Sequence, residues 1–234
     1  TTPEAVNNGQ VSLATTAVDA IYIDWRGNEA DFVPYETKST YTIYTDIETY
    51  AGANVKVYTY NSPDDVTVFS ISDIPMSEFD GSYMHNAMAF ALYGSGLEAD
   101  KISYPAKSAI EELNITEAAL TDIDLSEFPK LRSLSLSGNK LTAVDLSKAP
   151  LLELATISHN EISEVKFNNP KLWHLDLTEN NLSEIDLNGL PEMYQMGLSH
   201  NNLSALDLTP VKSTLSVLSI TNNNFTFAPL PVPA

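Results

Sequence analysis

Apolar residues in the C-terminal part of the chain recur in a fixed order. Residues 131–147 read LRSLSLSGNKLTAVDLS, which has the form LxxLxLxxNxLxxLxL. The same frame fits copies that begin at residues 87, 110, 131, 152, 172, 193 and 215, so neighbouring copies start 20 to 23 residues apart. A period this short and regular predicts a solenoid in which each copy forms one coil.

The alternation at the start of each copy predicts a short β-strand with one buried face. Leu134 and Leu136 point to one side of such a strand, and Ser133, Ser135 and Ser137 point to the other. One copy buries about five apolar side chains, worth about 10 kcal/mol gross. Ordering its roughly 21 residues costs about 1 to 2 kcal/mol each. The copies must therefore stack into one parallel sheet with a shared apolar interior.

An asparagine follows the strand in five of the copies. The chain turns at this point and exposes backbone N–H and C=O groups to the interior, and an amide side chain can pair with both kinds. We expect a buried structural ladder of Asn139, Asn160, Asn180, Asn201 and Asn223. The LDLS-like pieces between strands are too short for α-helices, so the outer side is expected to be extended chain and turns.

These short repeats, with their second LDLS-type segment, resemble the leucine-rich-repeat proteins that are abundant in gut Bacteroidetes. The resemblance covers about residues 87–230 and extends weakly to residue 55. It implies a mainly β solenoid, with a parallel sheet on the concave side and little or no helix on the convex side. It also implies a secreted or surface protein, with a possible lipid anchor upstream of residue 1.

The N-terminal residues have a different pattern. The segments IYIDW, YTIYTDIETY and NVKVYTYN alternate in polarity or are rich in Thr and Tyr, which is typical of strands. We therefore divide the chain into a small N-terminal β cap domain, residues 1–54, and a leucine-rich-repeat solenoid, residues 55–234.

Residues 55–86 leave two interpretations open. In the first, Val66, Phe69 and Ile71 form the second half of a degenerate first repeat, whose strand lies at residues 55–60. In the second, the strands through Ile71 belong to a larger β sandwich. Residues 72–86 exceed the usual connection between copies and are expected to form an insertion or a short helix.

Charge and composition exclude several functional classes. The chain has 31 acidic and 12 basic residues, and its net charge of -19 repels nucleic acids and anionic lipid headgroups. It has no cysteine and therefore no disulfide, thiolate nucleophile or cysteine-based zinc site. No apolar run approaches the roughly 20 residues of a membrane span. We expect no nucleic-acid partner, no transmembrane segment and no cofactor.

The sequence also predicts that the chain is not an enzyme and holds no metal. It contains no phosphate loop, nucleophile elbow or Ser-His-Asp arrangement. His159 and His200 lie two coils apart, about 10 Å at the strand spacing of a sheet, which is too far to share a zinc ion. One repeating position holds Asp124, Asp145, Asp186 and Asp207. A consensus position favours solvated turn acids there, and a calcium ion bridging the carboxylates is the alternative.

The outward strand positions form the candidate binding surface. Trp173 and Tyr194 occupy matching positions in neighbouring copies, and exposed aromatic residues beside polar groups favour carbohydrate or protein contacts. The alternative is that Trp173 packs along the edge of the sheet. The candidate ligand-binding residues are Trp173, His174, Asp176, Tyr194, Gln195, Arg132, Glu153 and Tyr93.

The sequence therefore predicts a non-catalytic, extracellular or surface recognition protein. It would bind a protein or a glycan through the strand face of the solenoid. The alternative is a structural spacer or scaffold module of a larger surface protein. The predicted location comes from the resemblance alone.

Overall fold

The computed structural model describes residues 9–15, 21–24, 33–35, 40–45, 56–59, 66–72, 78–82, 84–105, 107 and 109–226, with only the backbone given before residue 67. Residues 227–234, the end of the last predicted copy, lie outside these ranges. The described secondary structure consists of β-strands and short 3-10 helices. It agrees with the expectation of turns and extended chain on the outer side.

The strands fall into three groups. The N-terminal strands are β1 (Gly9–Thr15), β2 (Ile21–Asp24), β3 (Val33–Tyr35), β4 (Thr40–Thr45) and β5 (Lys56–Thr59). The parallel strands are β6 (Val66–Ser72), β8 (Ala89–Tyr93), β10 (Glu112–Thr116), β11 (Ser133–Ser135), β13 (Leu154–Thr156), β15 (His174–Asp176), β16 (Gln195–Gly197) and β17 (Val217–Ser219). The outer strands are β7 (Phe79–Asp80), β9 (Ile102–Ser103), β12 (Ala143–Asp145) and β14 (Glu164–Lys166). The 3-10 helices are Ala99–Lys101, Leu125–Glu127, Leu146–Lys148 and Thr209–Val211.

One ten-stranded sheet runs along the solenoid. Its order is β17-β16-β15-β13-β11-β10-β8-β6-β1-β4, and the eight strands from β17 to β6 are parallel. The register follows the repeat, because Leu134 pairs with Leu113 on one side and Ala155 on the other. The predicted solenoid with a parallel sheet is confirmed.

The apolar frame positions fill a single continuous core. The side chains of Leu134, Leu136 and Leu141 are fully buried, and the cluster extends from Phe69 to Val211. Neighbouring coils cover each coil on both sides, so the few apolar side chains of each coil can be completely buried. In the last coil Leu218 is only partly buried, since β17 ends the order of the sheet.

The structure corrects the interpretation in which the strand at residues 55–60 belongs to a first repeat, although a strand does lie there. β5 pairs antiparallel with β2 and lies in a separate three-stranded sheet. β6 supplies the parallel strand instead, with Phe69 opposite Phe90 and Ile71 opposite Leu92. Phe69 and Ile71 thus occupy the positions of Leu134-type strand residues rather than the second half of a repeat.

The predicted insertion or short helix at residues 72–86 is also wrong for the part of it that is described. β7 pairs in parallel with β9, so Phe79 lies opposite Ile102 on the outer side of the solenoid. The Phe79 ring packs at 5.3 Å from both the Phe69 and the Phe90 ring, measured between centroids. This segment is therefore an additional coil, closed by aromatic packing.

Antiparallel strands continue the sheet beyond the first coil. β1 pairs with β6 on one side and β4 on the other. The edge of the first parallel strand is thereby hydrogen-bonded rather than open. The domain boundary between residues 54 and 55 stays a prediction.

Candidate functional site

The buried asparagine ladder connects successive coils through hydrogen bonds. Asn180 Nδ2 donates to the carbonyl oxygens of Ile157 and Leu177, at 3.0 and 3.1 Å, and its Oδ1 accepts from the Ile162 N–H at 2.9 Å. Two of these three groups belong to the preceding coil. The same arrangement recurs at Asn139, Asn160, Asn201 and Asn223.

Neighbouring asparagines share acceptors, which makes the ladder continuous. The Leu136 carbonyl accepts from Asn139 and from Asn160, both at 2.9 Å. The Leu177 carbonyl accepts from Asn180 and from Asn201. These bonds tie each coil to the next, so the outward side chains of the sheet are held on a preformed surface.

The residue before each ladder asparagine turns the chain sharply. It has a positive φ at Gly138, His159, Glu179, His200 and Asn222, and Glu117 has one before Ala118, which stands at the asparagine position of its coil. Their side chains pair along the row, with His159 Nε2 3.3 Å from Glu179 Oε2 and Asn222 Nδ2 donating to His200 Nε2 at 2.9 Å. The two histidines thus contact different neighbours rather than a shared site.

We define the strand face as the outward residues of the parallel strands, from the position of Arg132 to that of Gly138 in each coil. The described residues include five exposed large hydrophobic side chains, and all five lie on this face. They are Val68, Met88, Trp173, Tyr194 and Val217. Only the two aromatic residues could be identified from the sequence, although Met88 occupies the same repeat position as Trp173, and Val217 occupies that of Gln195.

Three of these residues form the aromatic patch: Trp173, Tyr194 and Val217. Trp173 is 41% exposed and Tyr194 is 49% exposed. They directly precede the adjacent strands β15 and β16, and their backbones are neighbours because the Tyr194 N–H donates to the Trp173 carbonyl at 2.9 Å. Both side chains therefore leave a large part of their surface open to solvent. The alternative, that Trp173 packs along the edge of the sheet, stays a prediction.

Polar side chains border the aromatic patch. His174 and Gln195 are paired in register, and Val217 follows Gln195 on the next strand. The His174 ring lies 5.6 Å from the Trp173 ring, in an edge-on arrangement. Asp176 Oδ1 accepts from the Thr178 N–H at 3.0 Å. The structure therefore brings together the five residues predicted on these two strands.

Gly197 makes room for Asp176 and was missed by sequence analysis. It lies opposite Asp176 in the register. A Cβ atom at Gly197 would lie 2.5 Å from Asp176 Oδ1 and 3.0 Å from Thr178 Oγ1. The signal in the sequence is a glycine inside a strand, which often marks a close approach.

The remaining candidate residues engage in contacts of their own. Arg132 Nη1 lies 2.5 Å from Glu153 Oε1, and Arg132 Nε lies 3.7 Å from Glu111 Oε2. Tyr93 lies four strands from Trp173 and accepts a hydrogen bond from Asn114 Nδ2 at 2.9 Å. Burial, together with the nearby charge of Glu112, raises the pKa of Tyr93. The structure does not bring Tyr93 to the aromatic patch.

The repeated aspartates have a structural task on the outer side. In each case Oδ1 accepts from the backbone N–H two residues ahead, which caps the following turn. The four are Asp124, Asp145, Asp186 and Asp207. Side-chain and backbone hydrogen bonds from Ser126 and Thr209 lower the pKa of Asp124 and of Asp207. This agrees with turn acids.

Two grooves lie on the outer side of the described coils. One has a volume of about 150 Å³ and is lined by residues that include Tyr104, Lys107 and Phe128. The Lys107 ammonium pairs with Glu127 and lies 5.1 Å from the centre of the Tyr104 ring. Across the residues that the structure describes, no group of three or more His, Asp or Glu side chains is arranged to hold a metal ion. Within the same residues, no helix is long and apolar enough to cross a membrane.

Comparison with known proteins supports the repeat. Residues 130–150 match the family model described as Leucine Rich Repeat. Among curated protein sequences, none matches the chain. The leucine-rich-repeat domain of APL1B is 22% identical, with a TM-score of 0.50, over 65% of this chain and 56% of that one. The LRIM1/APL1C complex gives 23% identity and a TM-score of 0.50, over 65% of this chain and 34% of that one.

An internalin from Listeria monocytogenes is 16% identical over 65% of this chain and 54% of its own, with a TM-score of 0.47. This chain therefore spans between a third and three fifths of the solved chains it resembles. Likeness at such identities shows the solenoid fold and no more.

Proposed function

We propose that the chain is a non-catalytic recognition module that binds a protein or a glycan through its strand face. We further propose that it works outside the cell or at the cell surface. The observation that carries the binding proposal is the placement of every exposed large hydrophobic side chain among the described residues on that one face.

This placement is costly unless a partner uses it. A buried large apolar side chain is worth about 1.5 to 3 kcal/mol relative to an exposed one. Scattered exposed residues need no explanation, but Trp173 and Tyr194 are adjacent, and Trp and Tyr are the residue types enriched in binding hot spots. Their position favours a docking surface over a chance exposure.

The rigidity of the scaffold supports the same conclusion. The asparagine ladder and the continuous core hold the strand face in one arrangement before any partner arrives. A preformed surface loses little conformational entropy on binding. In the solved complex of LRIM1 with APL1C, a solenoid of this fold is assembled with another protein.

A glycan array and a protein-binding screen would test the proposal. The wild-type chain should be compared with Trp173→Ala and Tyr194→Ala, and with Lys166→Ala on the outer side as the control. We expect partners that bind the wild type and the control but bind the two aromatic variants at least about 10-fold more weakly. Equal binding by all four chains would reject the strand face and favour a spacer role.

The proposed location has a separate test. The gene should encode a secretion signal upstream of residue 1, ending in a cysteine that can carry a lipid if the protein is anchored. A complete reading frame without such a signal would contradict the surface location but leave the binding proposal intact.

A further inference from the structure

Charge is distributed unevenly over the solenoid. The strand face of the described coils carries one basic residue, Arg132. Its acidic residues are Glu111, Glu112, Glu117, Glu153, Asp176 and Glu179. The described lysines of residues 99–226 lie on turns and the outer side, outside the strand-face positions. A partner that approaches this face therefore meets a net negative surface.

The single cation of the face is already neutralised. The Arg132 guanidinium lies between Glu111 and Glu153, with the contacts given above. An anionic partner, such as a sulfated or sialylated glycan, would have to displace a carboxylate to reach it. Such a partner would also face the remaining acids. The face is therefore unsuited to anions.

The aromatic patch and the acids meet at one place. Glu153 precedes Trp173 in the same row of the sheet, where the Trp173 N–H donates to the Glu153 carbonyl at 3.0 Å. Asp176 lies on the same strand as His174, and Glu179 follows it at the turn. Among the described residues, only Thr178 donates to Asp176, through Oδ1. Glu153 is therefore the acidic residue beside Trp173 across the sheet, and Asp176 is the acidic residue three positions further along the chain.

Cations and aromatic faces attract each other, and the attraction grows when carboxylates neutralise the charge nearby. A guanidinium group can stack on an indole or phenol ring and pair with a carboxylate at the same time. A neutral glycan would contact the two aromatic rings but would make no charge pair with the acidic residues of the strand face. A positively charged protein segment uses both features.

We propose that the partner is a protein that presents a cationic segment to the aromatic patch. An arginine or lysine of the segment lies over Trp173 and Tyr194, near Asp176 and near the Glu153 carboxylate that it shares with Arg132, and a neighbouring apolar residue contacts Val217. This inference rests on the proposed function and names the chemistry of its partner. Attraction to the acidic face also speeds the encounter of the two proteins.

A random 12-residue peptide library displayed on phage provides the probe. The library is selected on the wild-type chain and counter-selected on the double variant Trp173→Ala/Tyr194→Ala, and the enriched peptides are synthesised for titration. We expect enrichment of Arg or Lys next to aromatic or aliphatic residues, and affinities that fall as salt rises.

Charge-removing variants sharpen the test. Glu153→Gln and Asp176→Asn should each weaken the enriched peptides by about 2- to 5-fold. Trp173→Ala should weaken them by at least about 10-fold. Glu184→Gln, an exposed acid outside the strand face, should leave the affinity unchanged. Circular dichroism of each variant checks that the fold is retained.

The outcomes separate the two proposals. Patch-dependent peptides that are neutral or acidic, or a patch-dependent glycan from the array, would overturn the cationic partner and leave the recognition function standing. If no peptide, protein or glycan depends on Trp173 and Tyr194, both proposals fail. Salt-sensitive basic peptides that lose affinity with Glu153→Gln and Asp176→Asn would support both.

Discussion

Replacing Asn180 by alanine tests the asparagine ladder most directly. Asn180 is 6% exposed, and its side chain makes four hydrogen bonds that alanine cannot make. The three carbonyls, however, keep a second partner. Ile157 also accepts from Asn160, Leu177 also accepts from Asn201, and Thr178 also accepts from the His159 N–H. Only the Ile162 N–H loses its partner entirely.

The magnitude follows from this count. Leaving one buried backbone group unsatisfied costs about 1 to 3 kcal/mol. Asn180→Ala should therefore lower the free energy of unfolding by about 1 to 3 kcal/mol rather than by four times that amount. The double variant Asn160→Ala/Asn180→Ala also strips the Ile157 carbonyl of both amides. It should be less stable than the sum of the single variants predicts, by about 1 kcal/mol or more.

Urea unfolding followed by circular dichroism measures both quantities. Asn181→Ala is the matched control, since Asn181 is the next residue, is exposed, and uses its backbone N–H to bond to Ile162. An Asn180→Ala variant as stable as Asn181→Ala would refute the ladder as a source of stability. Strict additivity in the double variant would refute the shared acceptors.

Three further predictions concern single residues. Gly197→Ala should lower the free energy of unfolding by about 1 kcal/mol, because the new Cβ would lie 2.5 Å from Asp176 Oδ1. Urea titration measures this loss. A similar loss when Gly197→Ala is made in an Asp176→Ala background would contradict the explanation. Glu117 has a φ of 51°, a backbone conformation that is strained for residues other than glycine. Glu117→Gly should therefore raise the free energy of unfolding by about 1 kcal/mol, and Glu117→Val should lower it by a similar amount. Equal urea midpoints for the two variants and the wild type would contradict this strain. Burial, aided by Glu127, raises the pKa of Tyr104 from 10.0 to about 12. The stability that its neutral phenol contributes is present below pH 10 and is lost as the pH rises towards 12. The free energy of unfolding of Tyr104→Phe should therefore fall less between pH 10 and pH 12 than that of the wild type. The same pH profile for both proteins would contradict this.

Part of the misreading of residues 66–82 has a simple physical cause. Both halves of the repeat place apolar residues at the same intervals, as in Leu131, Leu134, Leu136 and again in Leu141, Val144, Leu146. Val66, Phe69 and Ile71 therefore fit either half. The asparagine that distinguishes the halves is missing, because Ile74 stands at its position. Only the pairing of β6 with β8 decides which half this is.

The stacked coils, their buried face and the positions of the asparagines could all be predicted from the sequence. These follow from local periodicity, because coils of nearly equal length bring equivalent residues into register without further information. The sequence also identified Trp173 and Tyr194 as neighbours. The contacts of the ladder could be anticipated from the hydrogen-bonding capacity of an amide.

The tertiary structure decided which outward residues stay exposed and which are engaged with one another. Arg132 is paired with Glu111 and Glu153, and Gly197 yields space to Asp176. Each of these contacts joins residues about one coil apart in the chain. Their strength depends on distances and side-chain directions across neighbouring strands, and the spacing of residue types along a sequence does not specify those.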